Sequence, residues 1–257
     1  MNTSKPNLES LAQRLIALAE KAGHLICQIY GEEFNVYEKS DGSPVTRADC
    51  QSHFLLKKGL EQLTPQIPTI SEEDEISWNL KNPMYWLIDP LDGTKGFIQK
   101  VGEFCINIAL MENNRPIFGL IHIPVTEETF YGYENKAWRH YRGKAHPIHT
   151  RARPSQGMTL LLGNHGGKFK ERQELFLKSF SITEVKVIHS AIKFCYVASG
   201  QADLYLRFEA CSEWDTAAGQ ILVESAGGSM TRLDGAPFLY GKPRRINEEF
   251  MVFGRNS

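Results

Sequence analysis

The chain has 257 residues, enough for one large domain or two intimately packed halves that bury a core of their own. Hydrophobic residues make up 42% and charged residues 23%, which excludes a disordered chain and a disulfide-dependent miniature fold. The formal net charge of -1 provides no basic stripe for nucleic-acid polymers or anionic lipid, and no run of about 18 apolar residues is present to span a membrane.

Leu8, Leu11, Leu15, Leu18, Ala22, Leu25 and Ile29 recur every three or four positions and predict an amphipathic helix ending at Gly31. Lys39 to Pro44 reads as a flexible loop, suited to a lid over a site. Thr46 to Asp49 has capping-box form and opens a second helix to about Leu63. After Pro65 and Pro68 a short apolar stretch leads into Ser71-Glu72-Glu73-Asp74. Tyr85 to Ile88 predicts a buried strand that runs into Asp89-Pro90-Leu91-Asp92-Gly93-Thr94. Cys105–Met111 with Pro116–Ile123, and Glu128–Tyr133 with Ala137–Tyr141, predict two hairpins.

The polar stretch 142–156 marks the expected boundary, dividing the chain into an N-terminal half (1–145) and a C-terminal half (146–257). Beyond it, strands are expected at 159–163, 185–188 and 202–207, with helices at 169–180, 192–199 and 213–226. This alternation predicts a second, mainly parallel sheet with helical crossovers. The five cysteines are odd in number and lack C-x-x-C spacing, so they read as reduced core thiols of a cytoplasmic protein. The N-terminus offers no apolar signal segment.

Acid is concentrated at Asp49, at Glu72 with Glu73, at Asp89 with Asp92, and at Asp215. Pro90 cannot continue a central strand, so the chain turns there and leaves both carboxylates of D-P-L-D on one bend. Two such carboxylates repel each other unless a cation lies between them. Magnesium favours oxygen ligands and few protein groups, and Asp89, the Leu91 carbonyl and Asp92 offer that set. Gly93-Thr94 then opens a short helix whose N–H groups face a phosphate beside the cations. Taken singly, each acid also has an ordinary explanation: a turn at Asp92-Gly93, a cap at Asp49, a solvated run at 72–74, a helix start at Asp215.

Taken together, these segments resemble the inositol-monophosphatase superfamily. Trp86 to Thr94 is similar to its first signature, and Trp214-Asp215-Thr216-Ala217-Ala218-Gly219 with Glu224 to Gly228 to its second. Ser71 to Glu73 and Asp41 to Asp49 match in the expected order. Gly102-Glu103-Phe104, Lys193-Phe194-Cys195 and Leu204 to Phe208 resemble the bisphosphate nucleotidases within that superfamily. Two segments depart from their pattern: Gly96 stands where glutamate is usual, and His189-Ser190-Ala191 where Gly-Ser-Ser is usual.

The resemblance implies a layered α/β sandwich of the inositol monophosphatase and fructose-1,6-bisphosphatase type, with an α+β N-terminal half, an α/β C-terminal half and the site between them. It implies two or more magnesium ions held by Glu72, Asp89, the Leu91 carbonyl, Asp92 and Asp215. Asp49 and Thr94 would orient the attacking water, with Glu73 behind them. Gly93, Thr94, His165, Ser190, Lys193, Arg207 and Asp215 would contact substrate. The implied reaction releases the 3'-phosphate of adenosine 3',5'-bisphosphate, a by-product of sulfur assimilation, and is inhibited by lithium. The implied partner is this small nucleotide alone; oligomeric state, monomer or homodimer, is left open, and relatives include peripheral inner-membrane proteins. Two alternatives stay open at the level of sequence: an inositol or sugar phosphatase on the same metals, and a non-catalytic nucleotide sensor.

Overall fold

The computed structural model describes residues 6–164 and 170–255. Two long helices come first. Helix α1 (Leu8–Tyr30) starts at Asn7, whose side chain accepts from the Ser10 N–H, and buries Leu11, Leu15, Ala19, Ala22 and Ile26 along one stripe. A two-stranded ribbon, β1 (Val36–Glu38) and β2 (Pro44–Thr46), leads into α2 (Arg47–Leu63), which packs against α1.

A seven-stranded sheet follows in the order β3-β4-β5-β6-β7-β8-β9. Its strands are β3 (Thr69–Ser71), β4 (Met84–Asp92), β5 (Cys105–Glu112), β6 (Arg115–Ile123), β7 (Glu128–Tyr133), β8 (Lys136–Tyr141) and β9 (Lys144–Ile148). All neighbours are antiparallel except β3 and β4. Alternation along β4 sends Trp86 and Ile88 into the core beneath α1 and α2, and Tyr85 and Leu87 into the core on the other face.

That second core is shared with the C-terminal half. Helices α5 (Ile192–Ala198) and α6 (Ala217–Ser225) lie between the large sheet and a five-stranded sheet. Gly119 on β6 allows α6 to lie close, since a Cβ there would stand 2.3 Å from the Ala218 carbonyl oxygen. The smaller sheet is formed by β10 (Met158–Leu162), β11 (Ile182–Val187), β12 (Leu204–Arg207), β14 (Ser229–Arg232) and β16 (Phe250–Phe253), in the order β11-β10-β12-β16-β14. A short ribbon pairs β13 (Cys211–Ser212) with β15 (Ile246–Asn247). On the outer face, Phe176 of α4 (Lys170–Leu177) and Phe180 beyond it pack over Leu160, Leu204 and Leu206. The layers therefore run helix pair, large sheet, helix pair, small sheet, helix.

Three expectations are corrected. The smaller sheet is mixed rather than mainly parallel: β10 pairs in parallel with β11 and β12, but β16 runs antiparallel to both β12 and β14. The chain reaches β16 from β14 through the tail around β15, with no crossover helix to carry it in the same direction. The polar stretch after 142 contains a strand, β9, and the expected division at 145/146 falls inside it. Of the five free cysteines only Cys105, Cys195 and Cys211 are buried; Cys27 is half-buried and Cys50 is exposed on α2.

Candidate active site

The site is assembled where β4 ends. Asp89 is the last residue of the regular β4–β5 pairing, and the register slips between it and Asp92 across Pro90 and Leu91. Asp89 Oδ1 accepts from the Leu91 N–H at 3.0 Å, which folds the D-P-L-D bend on itself. Asp215 reaches the same place from the other half, and one oxygen from each of Asp89, Asp92 and Asp215 lies within 4.8 Å of the others. Asp215 is held by the Ser212 N–H at 2.9 Å. The helix expected from 213 divides here: a 3-10 turn covers Glu213–Asp215, Thr216 breaks it, and α6 starts at Ala217. That break directs Asp215 toward β4.

Burial and crowding dominate the electrostatics. Asp89 is pushed well above the usual carboxylate range, first by burial and then by Glu72, Asp92 and Asp215. Asp215 is raised to about 7 by burial and by Asp92, with Arg207 opposing. Glu72 is raised by burial, with Lys39 opposing. Glu73 rises to about 7 from burial and the adjacent Glu72. Lys39 Nζ donates to Glu72 Oε1 at 2.8 Å and Glu73 Oε1 at 2.6 Å. A crowded, oxygen-only cluster of this kind matches a hard divalent cation.

Asp49 uses both carboxylate oxygens. Its Oδ2 accepts from the Thr46 N–H and hydroxyl, each at 2.7 Å, and closes the cap of α2. Its Oδ1 accepts from the Thr94 hydroxyl at 3.1 Å. The same hydroxyl lies 3.2 Å from the Leu91 carbonyl, and its one proton serves only one of the two. Burial raises the Asp49 carboxyl above its ordinary range.

Helix α3 (Thr94–Ile98) starts from Gly93, which has φ 93° and no side-chain cap. A Cβ at Gly93 would stand 2.9 Å from the Glu103 carbonyl oxygen, so only glycine gives both this backbone and this approach. Ser190, also left-handed at φ 58°, lies against it, and the Ala191 N–H donates to Asp92 Oδ2. Two of the departures from the nucleotidase pattern face each other: a Cβ on Gly96 would stand 3.6 Å from both Cβ and Cγ of His189.

Of the basic residues, Lys193 is buried and donates to the carbonyls of Ile188 at 2.8 Å and Ser190 at 2.5 Å. Burial lowers its pKa to about 8. Arg207 ends β12, with Nε 3.3 Å from the Glu209 carbonyl. His165 lies outside the described residues. Sequence reasoning missed Asn107, a buried β5 residue whose Nδ2 donates to Asp92 at 3.3 Å and to the Trp214 carbonyl at 3.4 Å. It missed Lys39 as well, read there only as part of a loop. No local pattern marks either residue, since both acquire their role from strands and loops distant in sequence.

The model of the "Inositol monophosphatase family" matches residues 7–250. The 3'(2'),5'-bisphosphate nucleotidase CysQ of Escherichia coli strain K12 is 39% identical over 250 residues, covering 94% of this chain and 99% of the relative. The protein of that name from Buchnera aphidicola is 34% identical over 242 residues, covering 92% and 90%. The crystal structure of CysQ from Bacteroides thetaiotaomicron superposes with a TM-score of 0.84 at 30% identity, covering 98% of this chain and 99% of that one. A match that runs from α1 to β16 and includes both loops carrying the three clustered aspartates leaves one assignment: the chain belongs to the inositol monophosphatase family.

Proposed function

We propose that the protein is a magnesium-dependent 3'(2'),5'-bisphosphate nucleotidase that converts adenosine 3',5'-bisphosphate and water to AMP and phosphate. The observation that carries this reading is the cluster of Asp89, Asp92 and Asp215 with the Asp49–Thr94 pair beside it. Relatives named as such nucleotidases, at 39% identity over nearly the whole chain, support the substrate class.

Asp89, Asp92, Asp215, Glu72 and the Leu91 carbonyl would hold the cations. Bound there, magnesium supplies positive charge to the scissile phosphate and to its leaving oxygen. The chain's own residues do the rest. Asp49, fixed through Oδ2 by Thr46, presents Oδ1 to the Thr94 hydroxyl, and the pair orients a water and takes up its proton. A buried carboxylate of raised pKa is the better acceptor for that proton. When Thr94 donates to Asp49, the Leu91 carbonyl is released from it and can turn to a cation. Gly93 and Thr94 present N–H groups to the phosphate. Ser190 and Arg207 would meet the nucleotide and its second phosphate, which a guanidinium grips with two parallel bonds. Lys193 would act from behind Ser190, adding charge while bracing the loop 188–191.

The test is phosphate release from adenosine 3',5'-bisphosphate and from inositol 1-phosphate, side by side, with magnesium and with chelator. Magnesium-dependent release from the nucleotide is expected to exceed release from the inositol ester by at least about tenfold. Preference for the inositol ester would refute the substrate while keeping the site. Binding of the nucleotide with no release from either compound would make the protein a sensor.

A further inference from the structure

The loops that carry Asp215 and Glu72 come from opposite halves, yet a single side chain far along the chain joins them. Arg245 is 6% exposed and sits in the left-handed region at φ 55°, where a non-glycine residue is held only by its surroundings. Its Nη1 donates to Glu213 Oε2 at 3.1 Å and to the Tyr85 hydroxyl at 3.3 Å. Its Nε donates to the Trp78 carbonyl at 3.3 Å, and Nη2 to the Leu80 carbonyl at 3.4 Å. Glu213 is fully buried two residues before Asp215. Glu213 Oε1 accepts from the Lys242 N–H at 2.9 Å, and its own N–H donates to the Arg245 carbonyl at 2.8 Å.

The other end of this tie reaches Glu72. Trp78 Nε1 donates to the carbonyl of Ser71, the residue before Glu72, at 2.7 Å. The Trp78 ring also packs on Trp214, next to Asp215, with centroids 5.0 Å apart. Asn247 closes the clasp by donating to the Ser212 carbonyl and the Thr216 hydroxyl, each at 2.8 Å. The 3-10 turn of Asp215 is thereby fixed between the tail 242–247 and the turn 75–80.

We infer that Arg245 is a positioning residue that, through Glu213 and the Trp78 backbone, sets the spacing of Asp215 against Glu72 and Asp89 for the cations. This rests on the proposed metal site. A buried ion pair is weak evidence for stability by itself, because apolar replacement of both partners is often neutral. Here the pair joins two ligand-bearing loops, so its loss loosens their geometry even where the fold survives. Second-layer groups of this kind alter metal affinity by roughly 10- to 100-fold.

The experiment measures Mn2+ binding by electron paramagnetic resonance, together with magnesium-dependent kcat and KM, on the full chain. The variants are Arg245→Met, Arg245→Lys and the double variant Glu213→Gln with Arg245→Met. Arg245→Met is expected to weaken Mn2+ binding about 10-fold or more. It should also raise the half-saturating magnesium concentration in parallel, leaving KM for nucleotide at saturating magnesium within about twofold. Arg245→Lys, which keeps one donor head, should recover part of the affinity. In the double variant the buried carboxylate that lost its guanidinium is gone, so part of the thermal stability returns while Mn2+ binding stays weak. If Mn2+ affinity returns together with stability, or never changes in folded Arg245→Met, the tie is only structural and the inference is overturned. If the unaltered chain binds no Mn2+, the metal reading itself fails and takes the inference with it.

Discussion

The two walls of the site are built on opposite principles. On the acidic wall Asp89, Asp92, Asp215 and Glu72 face one another; neutral donors such as the Leu91, Ser212 and Ala191 N–H groups fix their positions, while Lys39 bonds Glu72 and Glu73 and Arg207 opposes the rise of Asp215. On the basic wall Lys193 is buried with its ammonium on the carbonyls of Ile188 and Ser190, and Arg207 bonds the Glu209 carbonyl. One wall crowds like charge in a buried place with only partial offset; the other rests its cations on backbone carbonyls. The first therefore has the crowded oxygen character that suits a cation, and the second braces the loop 188–191.

The largest effect should come from relieving the acidic wall. Asp89→Asn keeps the side-chain oxygen that accepts from Leu91 and removes the buried charge. Phosphate release should fall roughly 10³-fold, as when a charge-stabilising group is lost at the reacting centre. In chelator the same variant should melt at a higher temperature than the unaltered chain, because repulsion with Glu72, Asp92 and Asp215 is gone. Loss of activity with a lower melting temperature would contradict the picture of a wall held under like-charge strain.

Asp49 belongs to the acidic wall by charge but stands off the three-aspartate cluster, bonded to Thr46 and Thr94. Asp49→Asn should lower kcat about 10²-fold, the scale of lost general-base assistance, with Mn2+ affinity close to unchanged. A parallel collapse of Mn2+ affinity would place Asp49 among the cation ligands instead. On the basic wall the effect should be smaller and should fall on KM. Arg207→Lys should raise KM for adenosine 3',5'-bisphosphate about tenfold, while KM for adenosine 3'-monophosphate, which lacks the second phosphate, stays constant. Equal losses on both nucleotides would assign Arg207 to the fold rather than to selectivity.

The acidic wall was the part legible in the sequence, because its groups sit in short local patterns. Asp-Pro-Leu-Asp-Gly-Thr dictates its own bend, and Thr46 to Asp49 dictates its own cap. The basic wall was legible only through the family resemblance, and the clasp was not legible. Lys193 is an ordinary lysine until the loop 188–191 folds over it, and Glu213 and Arg245 are 32 residues apart, in a turn and an irregular tail. Strand β9 escaped because Lys144-Ala145-His146-Pro147-Ile148 has no apolar alternation to show; it is an edge strand, where proline and exposed polar groups are tolerated. The mixed order of the smaller sheet escaped because β14 and β16 are four residues each, and their pairing is decided by the route of the tail.

Acid-side loss of activity could come from either the site or the core, and His122 separates the two. It is buried on β6, with Nδ1 2.9 Å from the Thr129 hydroxyl. Burial lowers its pKa to about 4, and the neighbouring His24 and His140 push the same way. The folded chain thus binds this proton less readily than the unfolded chain, so stability rises with pH between about 4 and 6.5 and is lost as pH falls through that window. The shift corresponds to about 3 kcal/mol across the window. His122→Gln should flatten the pH dependence of unfolding by urea there, while phosphate release at neutral pH stays unchanged. If the slope persists in the variant, the acid sensitivity does not come from this core histidine, nor from the acidic wall, whose raised carboxylates bind protons more readily in the folded chain and give a slope of the opposite sign.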